Sequence, residues 1–142
     1  MSEQDPIVIV GSARTAMGGM QGDFAAVTAP QLGATAIEAA LQRAGINGDD
    51  VDEVIMGNVL GAGQGQAPAR QASKGAGIPD AVGATTINKM CGSGMKAAMF
   101  GHDLLVAGSA EVVVAGGMES MTNAPYLLPN AVFTLLSSPA AW

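Results

Sequence analysis

The chain has 142 residues, 49% of them apolar and 13% charged, with a net charge of −6. That is enough chain for one domain with a real core, and too apolar for a disordered tail. The six cations are scattered, so no basic stripe neutralises nucleic-acid phosphates, and the single cysteine excludes internal disulfides and cysteine–zinc clusters. The charged fraction is about half of the roughly 25% usual in soluble domains, which predicts a surface partly covered by something else. Met1-Ser2-Glu3-Gln4-Asp5 is acidic and polar, unlike a signal peptide. No run reaches the roughly 18 apolar residues of a membrane helix. These features predict a cytoplasmic protein with neither nucleic acid nor membrane as partner.

Along the chain, residues 7–10 are a short β-branched run that predicts a buried strand. A glycine-rich loop follows, and Thr28-x-x-Gln31 with Pro30 reads as a capping box opening a helix. Leu32, Ala36, Ile37, Ala40, Leu41 and Ala44 recur at helical spacing, and Gly45 suits the left-handed stop. Residues 54–60 predict a second strand, 68–75 a helix and 84–89 a third strand. Residues 95–106 are apolar nearly all round and predict a buried helix. Residues 112–115 predict a central parallel strand. Strands alternating with helices imply βαβ units, hence an α/β fold with a parallel-rich sheet and helices on both faces. After Glu119 no charged residue follows, and Ala131-Val132-Phe133-Thr134-Leu135-Leu136 lacks a cap or turn signal. The chain reads as unfinished.

The sharpest chemical feature is Asn88-Lys89-Met90-Cys91-Gly92-Ser93-Gly94-Met95-Lys96, where a strand passes through a glycine turn into a helix. Such a turn lifts a side chain above the sheet edge, and a helix amino terminus favours a thiolate. The glycines would let a substrate carbonyl approach the backbone where an oxyanion forms. On composition alone, a lone cysteine is more often a small buried hydrophobe. The context argues otherwise, since it resembles a nucleophile elbow with sulfur in place of oxygen. His102, the obvious base, lies eleven residues away along one helix, about 16 Å, which is too far to reach. Gly61-Ala62-Gly63-Gln64-Gly65-Gln66 lacks the last glycine of a dinucleotide fingerprint and reads as a plain loop. Gly116-Gly117-Met118-Glu119-Ser120-Met121 is either a ligand-binding turn at the sheet edge or an ordinary tight turn.

The segment around Cys91 resembles the acyl-enzyme cysteine segment of biosynthetic-type thiolases. Three further stretches are similar to the same family, in its order: Ile9-Val10-Gly11-Ser12-Ala13-Arg14-Thr15, Gln66-Ala67-Pro68-Ala69-Arg70-Gln71, and the Gly116 motif followed by Asn123-Ala124-Pro125-Tyr126. The resemblance covers about residues 7–129. It implies a thiolase amino-terminal domain over residues 1–129 and a divergent apolar tail over 130–142. The implied architecture is one half of a five-layered α-β-α-β-α sandwich. The implied activity is acyl transfer: two acetyl-CoA condense to acetoacetyl-CoA, or the reverse thiolysis runs, through an acetyl group on Cys91. Coenzyme A enters as part of the substrate, so no cofactor or metal is implied, and the complete enzyme would be a homo-oligomer, dimer or tetramer. In the family the general-base histidine, an oxyanion-holding asparagine and a second cysteine lie in the carboxy-terminal half. Only Cys91 carries over, so this chain alone should be inactive. The alternatives are a non-catalytic fragment that associates with other thiolase chains, and a related ketosynthase.

Overall fold

In the computed structural model the described residues are 6–127. The apolar segment at 131–136 and the tail over 130–142 lie outside them. Helix α1 (Ala29–Ala44) starts where the sequence places it. The Gln31 N–H donates to the Thr28 hydroxyl, the Thr28 N–H donates to the Gln31 side chain, and Pro30 occupies the first turn. Gly45 closes the helix with a φ of 70°, a conformation that spares glycine the clash of a Cβ. The buried stripe runs through Gly33, Ile37 and Leu41, four residues apart. Leu32 and Ala36, expected from sequence in that stripe, turn instead toward a neighbouring groove.

Three parallel strands follow: β1 (Glu53–Gly57), β2 (Gly83–Ile87) and β3 (Val113–Gly117), in the order β2-β1-β3. Helix α2 (Pro68–Gly75) joins β1 to β2, and α3 (Ser93–Val106) carries the chain across β1 to β3. The two helices cover opposite faces. Val54 and Met56 of β1 share one core with Ile37 and Leu41 of α1 and Ala69 and Ala72 of α2. On the other face Gly101 of α3 lies against Val113 and Ala115 of β3, as the alternation of side chains along a strand requires.

Several expectations from sequence need correction. Residues 7–10 form no strand and are exposed, with Ile9 at 91%. A strand exists through its pairing, and among the described residues none pairs with them. Helix α3 is not buried: Ser93, Ala97 and Gly101 are covered, while Met95, Met99 and Val106 stand in the open. An all-round apolar pattern says that something covers a helix, not that this chain does. For the same reason β3, expected to be central, lies at an edge of the sheet among the described residues, where the central strand is β1. Finally β1 stops at Gly57, because the N–H groups of Val59 and Leu60 go to the Glu119 carboxylate instead of a neighbouring strand.

Candidate active site

All three strands end on one side, so the loops after Gly57, Ile87 and Gly117 share the carboxyl edge of the sheet. In parallel α/β proteins ligands bind at this edge. Cys91 lies there, exposed, four residues past the end of β2 and two before the first residue of α3. The expected strand, turn and helix are thus all present around it, although among the described residues β2 is an edge strand and α3 is only half covered.

The turn is held by its own polar groups. Met90 has a φ of 49°, unusual for a residue with a side chain. The Ser93 hydroxyl accepts from the Lys89 N–H at 2.8 Å and donates to the Met90 carbonyl at 2.6 Å. The Met90 N–H donates to the Asn88 side-chain oxygen at 2.9 Å. Ser93 itself is buried, as the first residue of a helix seated on the sheet must be.

That seating explains Gly57, which the sequence leaves unassigned. A Cβ on Gly57 would come within 2.6 Å of the Ser93 Cβ, so the end of β1 must be glycine for α3 to start where it does. Gly117 packs less closely, a Cβ there coming within 3.2 Å of the Gly94 Cα. Gly92 and Gly94 of the turn keep ordinary room, with nothing nearer than 3.5 Å and 3.6 Å to a Cβ placed there.

The partners of Glu119 escape the sequence reading. Its carboxylate accepts from the Val59 N–H at 2.8 Å, the Leu60 N–H at 3.1 Å and the Asn58 side chain at 2.8 Å. One carboxylate thereby ties the loop after β3 to the loop after β1. Ser120 and Asn123 extend the tie by donating to the Val27 carbonyl ahead of α1. The Gly116 motif thus braces these loops, while residues 117–121 also wall a groove. Its only signal in the sequence is a carboxylate among apolar neighbours, a sign of a partner but not of which one.

His102 is on the exposed side of α3, beside Asp103 at 3.5 Å. Nine residues separate it from Ser93 along an unbroken helix, about 13 Å at 1.5 Å per residue. The structure does not bring it to Cys91. The loop from Gly61 to Gln66 is a plain connection, pinned by the Gln71 amide to the carbonyls of Gln64 and Gln66. A groove of about 710 Å³ opens between residues 13–20 and residues 117–122, walled by Met17, Met20, Phe24, Leu32 and Met118. Cys91 does not line it. No helix among the described residues is long and apolar enough to cross a membrane.

Comparison with known proteins agrees with this geometry. The chain matches the family "Thiolase, N-terminal domain" over residues 7–141. It is 56% identical over 125 residues to an acetyl-CoA acetyltransferase of Cupriavidus necator, covering 88% of this chain and 32% of that protein. A cytosolic acetyl-CoA acetyltransferase of Gibberella zeae is 52% identical over 130 residues, 92% of this chain and 33% of that one. A mitochondrial one of Xenopus tropicalis is 55% identical over 122 residues, 86% and 29%. Among solved structures, the Acat5 thiolase of Ascaris suum in complex with coenzyme A superposes with a TM-score of 0.84 at 38% identity, covering 86% of this chain and 32% of that one. The chain spans about a third of the length of the curated relatives it matches. On the matched sequence and the shared fold, it belongs to the thiolase family.

Proposed function

We propose that the chain is the nucleophile-bearing part of an acetyl-CoA C-acetyltransferase, with Cys91 as the acyl acceptor. The observation that carries this reading is an exposed cysteine in the turn between β2 and α3, in a chain over half identical to acetyl-CoA acetyltransferases. The Cys91 thiolate attacks the thioester carbonyl of acetyl-CoA, the carbon–sulfur bond to coenzyme A breaks, and coenzyme A leaves with a proton. A second acetyl-CoA, deprotonated at its methyl carbon, then attacks the acetyl-cysteine. A carbon–carbon bond forms, acetoacetyl-CoA departs and the thiolate is restored. The acetyl group passes from one sulfur to another and then to carbon, so the reaction calls for no metal or prosthetic group. The base for the second step is not His102, and it would come from the part of the enzyme that this chain does not span. On the same reading the complete enzyme works as a homo-oligomer in the cytoplasm, which fractionation and sedimentation would test.

In a complete thiolase carrying this segment, Cys91→Ser removes the burst of acyl-enzyme formed from acetyl-CoA, because a serine hydroxyl without a dedicated base is a far weaker nucleophile. A burst that persists assigns the chemistry to another residue. A second reading, a fragment that only associates with other thiolase chains, draws on the open face of α3 and on the third of a thiolase that the chain spans. It differs in having no acyl-enzyme at all.

A further inference from the structure

We infer that Asn88 and Ser93 are positioning residues for Cys91, holding Met90 in the left-handed conformation that turns the thiol out at the sheet edge. This rests on the reading of Cys91 as nucleophile. A non-glycine residue at a φ of 49° persists only where its surroundings over-determine it. Here both backbone groups of Met90 are claimed. Its N–H goes to the Asn88 oxygen, and its carbonyl accepts from both the hydroxyl and the N–H of Ser93. The Ser93 hydroxyl also accepts from the Lys89 N–H, so one buried oxygen closes the turn from both ends.

The turn is further tied to the sheet. The Asn88 amide donates to the Val59 carbonyl at 3.3 Å, and the Val59 N–H is held by Glu119. The position of Cys91 is therefore set by residues on either side of it in the chain and by the loop after the central strand. Neither Asn88 nor Ser93 need touch a substrate for this.

Because Cys91 is the sole cysteine, uptake of one carboxamidomethyl group from iodoacetamide reports it alone. The rate is measured on the 142-residue chain, folded and in urea, with far-UV circular dichroism following the fold. A thiol held at a helix start should react at least about threefold faster in the folded wild type than in the unfolded chain at neutral pH. Asn88→Ala and Ser93→Ala should fall to within about twofold of the unfolded rate while remaining helical. Asn88→Ser keeps an oxygen able to accept from the N–H two residues on but loses the amide tie to Val59, and should react faster than Asn88→Ala. A role confined to stability would move the urea midpoint and leave the folded rate unchanged, and that result overturns the proposal. So does an equal rate for folded and unfolded wild type, a comparison that stands even where a variant fails to fold. If the rates follow this pattern but Cys91 takes no acetyl group in the complete enzyme, the nucleophile reading fails and the positioning of Cys91 stands. If Cys91 is acetylated but all variants alkylate at the same rate, the nucleophile reading stands and the positioning role is overturned.

Discussion

The two faces of the sheet are finished to different degrees. On one, α1 and α2 close over Val54 and Met56, and Gly33 and Gly75 let the two helices approach until a Cβ would have no room. On the other, α3 covers β1 and β3 with small residues, Ala97 and Gly101, and turns its methionines and Phe100 outward. Apolar residues predict burial of one face for α1 and of nearly the whole surface for α3. The difference is that the cover for α1 lies nearby in the chain, while the described residues contain none for the outer side of α3. The face with the candidate nucleophile at its edge is thus the one left open.

The largest effect that would break this comparison is on association. With Met95 and Met99 exposed on α3 and residues 7–10 exposed besides, the isolated chain should self-associate and bind a hydrophobic dye, since apolar patches beyond a few hundred Å² drive association. Sedimentation with dye binding checks it. A monomer that binds no dye would mean that the open face is closed in solution.

Next comes the contrast in side-chain truncation. Ile37→Ala on the closed face should cost about 2–5 kcal/mol, because it empties a site that is 3% exposed. Met99→Ala on the open face should stay within about 0.5 kcal/mol. Urea unfolding of both variants gives the two numbers, and similar losses would erase the asymmetry.

Gly57→Ala tests the seam between the faces. The added methyl would press on Ser93 at the start of α3 and should cost about 1–3 kcal/mol. It should also displace the turn that carries Cys91, which alkylation of the thiol would register.

The smallest effect is electrostatic. The backbone N–H groups of Glu111 and Val112 hold the Asp52 carboxyl below its ordinary value of 3.8. Since the folded-state value is the lower one, the stabilisation is present above the ordinary carboxylate range and lost as pH falls through the folded value. Asp52→Asn should flatten the fall of the urea midpoint below about pH 4. An unchanged slope would show that Asp52 carries none of the acid sensitivity.

Local signals are legible in the sequence. The Thr28 box, Pro30 and Gly45 bound α1 to the residue, and Pro68 does the same for the start of α2. The turn at Cys91 is legible because strand, glycines and helix lie within ten residues of each other. What escapes is non-local. Residues 7–10 have the composition of a strand but, among the described residues, no neighbour to make them one. Glu119 meets Val59 and Leu60 across about sixty residues of chain, and nothing in either segment names the other. Gly57 is demanded by a helix that starts thirty-six residues later.

Mapping the acetyl group tests the central claim, that Cys91 is the acyl acceptor, most directly. A complete thiolase carrying this segment is quenched in acid after mixing with acetyl-CoA, digested, and its peptides weighed. One acetyl adduct is expected, on the peptide holding Cys91, released again by free coenzyme A. An adduct on any other residue, or none in an enzyme that still forms acetoacetyl-CoA, would contradict the claim.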